Sequence, residues 1–299
     1  MPLIDAHGHV FAKATPEFPR EINTNMPADR EESVEKLMRY MSVAAIDQAM
    51  LVQIGGTDFP HHAYLLHCLR TYPNHFLGIG LIPEANYGKP EKHMDQLTDG
   101  TGIVGFRLNM IGGPTDPFDS VDVRTFKTYP IWKYAAEKDL VLWLYVGASE
   151  AHLIAYLVDA FPQVRVVLNH LGICPGIGKF TLDSWGRPKV ETPKYNPAFH
   201  TTHRLSTFEN VVLHLSGHYA FSKTPYPYPD LSGWHQNLLD RFGANRLMWA
   251  TDFPWIYKTP GYDKLTQLIK KTLPDINIQD YNLIMGETAQ KFLRFPDLN

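Results

Sequence analysis

The first apolar run of the chain ends in two histidines that are one residue apart. This run covers residues 3–9 and closes with His7, Gly8 and His9. Side chains alternate along a β-strand, so His7 and His9 would point to the same side at the carboxyl end of a strand. Two imidazoles in that position can hold one metal ion between them. An HxH pair alone is a weak signal, and the prediction therefore needs further ligands elsewhere in the chain.

Several later apolar runs also end in polar side chains. These strand-end residues are Arg107, Tyr145, His170 and Asp252. The metal ligands predicted from the pattern are His7, His9, His170 and Asp252. Three imidazoles and one carboxylate suit one divalent ion, with zinc as first choice and manganese as second. A metal would lower the pKa of its bound water and polarise a carbonyl, and Asp252 could accept the proton of that water.

Each of these residues also has a simpler interpretation. His170 could merely end its strand, and Asp252 could cap the next helix. Arg107 could pair with an acidic side chain near the carboxyl ends of the strands. The coincidence of four metal candidates at strand ends favours the metal site. His218 follows the seventh run and is expected to face the mouth as a catalytic or supporting residue, whereas His214, inside that run, is expected in the core.

Eight apolar runs alternate with helical segments along the chain. The predicted strands cover residues 3–9, 48–54, 76–81, 102–108, 141–146, 164–169, 211–215 and 247–251. The main predicted helices cover residues 31–45, 61–72, 89–98, 129–138, 149–161, 197–207, 262–271 and 280–295, with Ser149 as an N-cap. Uniformly apolar strands are typical of a parallel sheet that is covered on both faces. The pattern therefore predicts an α/β fold, a (β/α)8 TIM barrel as one domain over residues 1–299. The alternative, a doubly wound open sheet, would be expected to carry a Gly-rich phosphate turn after its first strand.

The composition narrows the classes of function. The chain has 299 residues, a formal net charge of −3 and no basic stripe, which argues against nucleic-acid binding. No apolar run reaches the ~20 residues of a membrane span, and the first residues lack the order of a signal peptide. Two cysteines, Cys68 and Cys174, indicate a reducing, cytoplasmic compartment. The expected partner is a small-molecule substrate, and a homo-oligomer is possible.

Five segments carry a further signal. They are residues 5–9 (DAHGH), 168–172 (LNHLG), 213–217 (LHLSG), 251–254 (TDFP) and 285–292 (MGETAQKF). Together they resemble the amidohydrolase superfamily, specifically its amidohydrolase-2 branch, over essentially the whole chain. Within the branch the pattern is most similar to the lactonases that open pyrone-dicarboxylates or sugar-acid lactones.

This resemblance implies an activity. It implies that Asp252 activates water and that a basic residue holds a substrate carboxylate. It also leaves a metal-free mode open, because some relatives in this branch keep the histidines but work without a metal. Arg107 can take that part because a guanidinium fork fits a carboxylate, and Tyr145 and His218 are expected to help orient the substrate. The leading hypothesis is a metal-dependent hydrolase that opens a small carboxylated or polyhydroxylated lactone. The sister group of aminocarboxymuconate-semialdehyde-type decarboxylases supplies the alternative, non-oxidative decarboxylation of an aromatic or muconate-type acid.

Overall fold

Eight parallel strands form the central sheet of the protein. The computed structural model describes residues 1–84, 89–116, 118–173, 180–190 and 198–298, and Cys174 lies outside these ranges. The sheet consists of β1 (Ile4–Gly8), β2 (Gln48–Val52), β3 (Phe76–Leu81), β4 (Ile103–Leu108), β5 (Val141–Leu144), β6 (Arg165–Leu168), β9 (Val211–Leu215) and β10 (Leu247–Trp249). Neighbours in the sheet follow this order. Two further strands, β7 (Phe180–Leu182) and β8 (Pro188–Val190), pair only with each other as an antiparallel hairpin.

Helices lie between the strands and after the last strand. They are α1 (Val34–Ala44), α2 (Ala63–Thr71), α3 (Pro90–Thr98), α4 (Tyr129–Lys138), α5 (Ile154–Ala160), α6 (Ala198–Leu205), α7 (His218–Phe221), α8 (Ser232–Phe242), α9 (Tyr262–Leu265), α10 (Leu268–Thr272), α11 (Ile278–Asn282) and α12 (Thr288–Leu293). The alternation confirms the predicted (β/α)8 barrel. Within the described part of the chain, no helix has the length and apolar character needed to cross a bilayer.

The ends of β1 and β10 meet and nearly close the barrel. The backbone N–H of Asp252 donates to the carbonyl of His7 at 2.8 Å, and that of His9 donates to the carbonyl of Phe253 at 2.7 Å. These two bonds place the first and last strand ends side by side. Residues at those ends therefore share one edge of the barrel, where functional groups of such folds collect.

The core has two layers that follow the alternation of side chains along the strands. In β5, Val141 and Trp143 belong to the cluster inside the barrel, whereas Leu142 and Leu144 pack under the helices. In β1, Ala6 is part of the inner cluster, and the ring of the next residue, His7, also faces inward against Trp143. A register shift between Asp5 and Gly8 accompanies these two successive inward residues.

Three predicted elements differ from those observed. Ser149 does not cap α5, because a 3-10 turn over Ala151–Leu153 precedes that helix. The carboxylate of the next residue, Glu150, accepts hydrogen bonds from the backbone N–H groups of Ile111 and Gly112. The predicted helix over residues 262–271 is divided into α9 and α10. The predicted last helix is interrupted by a π-helical turn over Leu283–Glu287. There Gly286 approaches the backbone of the first residues so closely that a Cβ would collide with it.

Acid is expected to destabilise the fold through the buried histidine His62. Its Nε2 accepts the backbone N–H of Leu81 at 3.0 Å, and its Nδ1 donates to the carbonyl of Asp58. Burial lowers the pKa of His62 to about 4, so the unfolded chain binds a proton more readily than the folded one. Stability should therefore fall as the pH drops from 6.5 towards 4, by about 2 kcal/mol at pH 5 from this group.

Urea unfolding at pH 7 and pH 5 measures this effect. His62→Gln keeps a donor and an acceptor at the position but does not titrate. We expect the variant to lose about 2 kcal/mol less stability than the wild type between the two pH values. An equal loss in both proteins would show that His62 does not contribute to acid sensitivity.

Candidate active site

A buried carboxylate holds the first and last strands together beneath the site. Asp5 accepts the backbone N–H of Thr251 at 2.8 Å through Oδ1, and the hydroxyls of Thr251 and Tyr262 through Oδ2. Burial raises the pKa of Asp5 to about 6, although these hydrogen bonds act in the opposite direction. Because Thr251 directly precedes Asp252, the Asp5 carboxylate fixes the strand end that carries Asp252.

Three potential ligand atoms form a nearly equilateral triangle at the barrel mouth. The Nε2 atoms of His7 and His9 are 3.3 Å apart. Asp252 Oδ1 lies 3.5 Å from the first and 3.4 Å from the second. All three residues are buried. Asp252 Oδ1 has no hydrogen-bond partner among the described residues, so a buried anionic oxygen is left open at this point.

The size of this triangle fits a zinc-type ion. A tetrahedral zinc centre with ligand distances of about 2.0–2.1 Å has ligand atoms about 3.3–3.4 Å apart. The three measured separations of 3.3, 3.4 and 3.5 Å match such an edge length. Among the described residues, the compact group of ligand atoms contains His7, His9 and Asp252 but not His170. The structure thus brings together three of the four predicted ligands.

His170 and Asp252 leave their strands in an unusual backbone conformation. The φ angles are 45° at His170 and 64° at Asp252, both in the left-handed region. Residues with a Cβ adopt this region at a cost of about 1–2 kcal/mol. Strain of this kind concentrates at sites where a side chain has to be aimed. Both side chains face the same cavity.

A chain of hydrogen bonds orients the His170 ring. Its Nδ1 lies 2.8 Å from the Ser216 hydroxyl, which lies 2.9 Å from His214 Nδ1. His214 Nε2 in turn lies 3.1 Å from the Asn169 side-chain oxygen. That oxygen only accepts, so His214 donates from Nε2, Ser216 donates to His214, and His170 donates from Nδ1. The order leaves His170 Nε2 with a free lone pair. His214 is fully buried, as predicted for a core position.

Asp252 is held in its charged form by its neighbours. Burial raises its pKa, but the imidazoles of His170, His7 and His9 outweigh this effect and hold the pKa of Asp252 well below its ordinary value. Tyr219 donates its hydroxyl hydrogen to Asp252 Oδ2 at 2.6 Å. Burial raises the pKa of Tyr219 well above its ordinary value, which keeps this phenol a donor. The Oδ1 atom is therefore the free proton acceptor of the pair.

Arg107 lies in the wall of the cavity that Asp252 and His170 face. Its Nε is buried without a hydrogen-bond partner, and no described residue receives a hydrogen bond from the side chain. The guanidinium lies over the Tyr145 ring at 5.0 Å. Burial lowers the pKa of Arg107, but an arginine stays charged at neutral pH. A charged fork whose Nε makes no hydrogen bond to a described residue is suited to an anionic ligand.

The cavity that these groups share has a volume of about 220 Å³. Polar lining comes from His9, Arg107, Tyr145, His170, Tyr219 and Asp252. Apolar side chains, among them Phe180, Phe221 and Trp255, line the rest of the cavity. The predicted substrate residues Arg107 and Tyr145 and the predicted ligands His9, His170 and Asp252 thus line one small space.

His218 occupies a different environment from the one predicted. Its Nε2 lies 2.8 Å from His235 Nε2, and its ring stacks on Tyr228. The left-handed turn at Gly217, with φ of 71°, ends the strand alternation and turns the next side chain away. Among the described residues that line the cavity, His218 is absent. The expectation that it faces the mouth is therefore not met.

The sequence matches a known protein family over nearly its whole length. A family model described as amidohydrolase matches residues 4–295. The chain belongs to the amidohydrolase family. No curated protein sequence matches this amidohydrolase.

Solved structures share its fold across nearly the whole chain. A probable 2-pyrone-4,6-dicarboxylic acid hydrolase from Acinetobacter baumannii, with citric acid bound, is 18% identical, with a TM-score of 0.71 and coverage of 99% of this chain and 100% of the other. An amidohydrolase from Burkholderia multivorans with bound zinc is 18% identical, with a TM-score of 0.74 and the same coverage. A 2,6-dihydroxybenzoate decarboxylase from Rhizobium is 15% identical, with a TM-score of 0.62 and 98% coverage of each chain.

Two residues of the amidohydrolase site had no assigned role in the sequence prediction. Tyr219 follows the seventh apolar run, and its hydroxyl donates to Asp252 Oδ2. Trp143 was counted only as part of an apolar strand, but its indole N–H donates to His7 Nδ1 at 3.0 Å. The inward position of Trp143 follows from strand alternation, but its partner on the opposite side of the barrel does not.

Proposed function

We propose that this amidohydrolase hydrolyses a small lactone that carries a carboxylate group. The observation that carries the proposal is that Arg107 Nε and Asp252 Oδ1, which line the same cavity, are both buried without a hydrogen-bond partner among the described residues. Hydrolysis of such a substrate requires two groups in the site. One is a cation that binds the substrate carboxylate, and the other is a carboxylate that accepts a proton from water. The cavity of about 220 Å³ is smaller than typical drug-binding pockets, which favours a compact ring.

Substrate orientation follows from the cavity wall. The carboxylate of the substrate would accept two hydrogen bonds from the Arg107 fork, and the Tyr145 ring beside it would limit its position. The lactone carbonyl would then point towards Asp252. Trp255 and Phe221 would cover the ring and reduce access of bulk water.

The chemistry uses one water molecule. Asp252 is ionised at neutral pH and accepts a proton from water at Oδ1, while the Tyr219 hydroxyl keeps Oδ2 in place. The water oxygen forms a bond to the ring carbonyl carbon. The ring C–O bond then breaks, and the proton passes from Asp252 to the departing ring oxygen. The product is an open acid that carries one more carboxylate than the substrate.

A divalent metal, with zinc as first choice, is part of the proposal. When bound, it would polarise the carbonyl and lower the pKa of water. His7, His9 and Asp252 would hold it, with the His170 ring nearby. The zinc named in the Burkholderia structure supports this choice.

The relatives support two reactions. The name of the Acinetobacter protein describes a hydrolase of a dicarboxylated pyrone, which is a cyclic ester, and its structure holds citric acid, a carboxylate. The Rhizobium protein is described as a decarboxylase of an aromatic acid. Decarboxylation is therefore the second candidate. For this reaction the carboxylate of the substrate would have to lie next to the triangle of His7, His9 and Asp252 and not at Arg107.

A panel of substrates separates the two reactions. Carboxylated lactones, neutral lactones and hydroxylated aromatic acids would be incubated with the protein and Zn²⁺, with acid release and trapped CO₂ measured in parallel. We expect acid release from carboxylated lactones without CO₂. Release of CO₂ from an aromatic acid, with no lactone opened, would replace the hydrolase proposal by the decarboxylase.

A further inference from the structure

The position of the ring hydrogen on His7 is determined by Trp143. The Trp143 indole nitrogen is 3.0 Å from His7 Nδ1, and the two rings are within 19° of coplanar. An indole N–H can only donate, so Nδ1 must present its lone pair. A neutral imidazole has one ring hydrogen, which therefore lies on Nε2 of His7. Both side chains have 0% exposure, and bulk water does not compete for this bond.

His9 and His170 have the opposite arrangement. His9 Nδ1 donates to the carbonyl of Val52 at 2.8 Å, which leaves its Nε2 with a lone pair and no hydrogen. His170 donates from Nδ1 to Ser216 and also keeps a free lone pair on Nε2. A histidine that binds a metal through Nε2 usually donates its other N–H to an acceptor in this way. His7 is the one ring of the three whose Nδ1 faces a donor.

The hydrogen on His7 Nε2 occupies the space in which an ion would lie. It points towards His9 Nε2, which lies 3.3 Å from its own nitrogen, along one edge of the triangle that Asp252 Oδ1 completes at 3.5 Å. For His7 to bind a metal as a neutral ligand, this hydrogen would have to move to Nδ1. There it would oppose the N–H of Trp143, and two buried donors would face each other without an acceptor.

We propose that Trp143 is a positioning residue that keeps neutral His7 a hydrogen-bond donor and so weakens metal binding at the His7–His9–Asp252 triangle. The inference rests on the metal position within the proposed function but not on the reaction. Trp143 is held in place because it points into the barrel from β5 and stacks on His214 at 5.6 Å. Metal occupancy of this centre therefore depends on a residue that does not touch the metal.

Replacement of Trp143 by phenylalanine tests the proposal. Phenylalanine keeps an aromatic ring in the barrel but removes the N–H, so the His7 hydrogen is free to move to Nδ1. We expect Trp143→Phe to bind Zn²⁺ about 10–100-fold more tightly than the wild type, measured by competition with a chromogenic chelator. Trp132→Phe is the matched control, because Trp132 is fully buried in α4 and its N–H has no partner among the described residues. Its Zn²⁺ affinity should equal that of the wild type.

Nitrogen NMR of the metal-free wild type provides a second measurement that needs no variant. Long-range proton–nitrogen correlations should show hydrogen on Nε2 of His7 and on Nδ1 of His9. Hydrogen on Nδ1 of His7, or a Trp143→Phe protein whose Zn²⁺ affinity is unchanged or weaker, would overturn the proposal. Neither measurement uses turnover, so failure of the lactonase proposal would be recognised separately.

Discussion

Asp252→Asn is expected to lower kcat for lactone opening by about a thousandfold or more. The amide has no free carboxylate oxygen at the Oδ1 position, so the proton of the attacking water has no acceptor. The fold should be retained, because the Asp252 backbone N–H still bonds to His7 and Tyr219 can still donate to the amide oxygen. The measurement is kcat with saturating carboxylated lactone, together with the thermal midpoint of both proteins.

A control variant and an assay with excess Zn²⁺ show whether Asp252 acts as the base. Asp230→Asn is the control variant. It removes a carboxylate that lies outside the cavity, where Asp230 accepts hydrogen bonds from the Ser222 and Thr224 hydroxyls, and the variant should keep most of the activity. Assays with excess Zn²⁺ distinguish a base from a ligand. If excess Zn²⁺ restores the activity of Asp252→Asn, the role of Asp252 is to bind metal, and its assignment as the base is wrong.

Arg107→Met is expected to raise KM for carboxylated lactones by about 10–100-fold, which corresponds to the loss of hydrogen bonds to a charged group. Neutral lactones should be affected much less, because they do not use the guanidinium. The thermal midpoint should be unchanged or higher, since the variant removes a charged side chain that has no hydrogen-bond partner among the described residues. KM for paired charged and neutral lactones and the midpoint are measured on the same protein samples.

Arg107→Lys is the matched variant for this prediction. Lysine keeps the positive charge but cannot form the two-point contact of the guanidinium fork. It should therefore show a KM between those of the wild type and Arg107→Met. An equal rise of KM for charged and neutral lactones, or a marked loss of thermal stability in Arg107→Met, would indicate that Arg107 supports the structure and does not bind a substrate carboxylate.

The barrel could be predicted from the sequence because its signals are local. Each strand is apolar over its own few residues, and a helix separates it from the next. The edge at which His7, His9 and Asp252 meet followed from the same pattern, since parallel strands end on one side. The β7–β8 hairpin was missed because its short strands pair only with each other and β7 is exposed, which leaves little apolar signal.

The contacts that refine the site depend on residues far apart in the chain. Trp143 and His7 are separated by 136 positions, and no periodicity in β5 indicates that an indole will meet that ring. His218 was misplaced because the left-handed turn at Gly217 breaks the alternation on which its prediction relied. The role of Tyr219 depends on the same turn and on the left-handed φ of Asp252, neither of which the strand pattern contains.

The most direct test of the proposed function is the mass of the product formed in oxygen-18 water. A carboxylated lactone that is opened by water should gain the mass of one H₂¹⁸O, with the label in the new carboxylate, and no CO₂ should form. Asp252→Asn should give no labelled product above the uncatalysed rate. A product that has lost CO₂ and contains no oxygen-18 would contradict hydrolysis at this site.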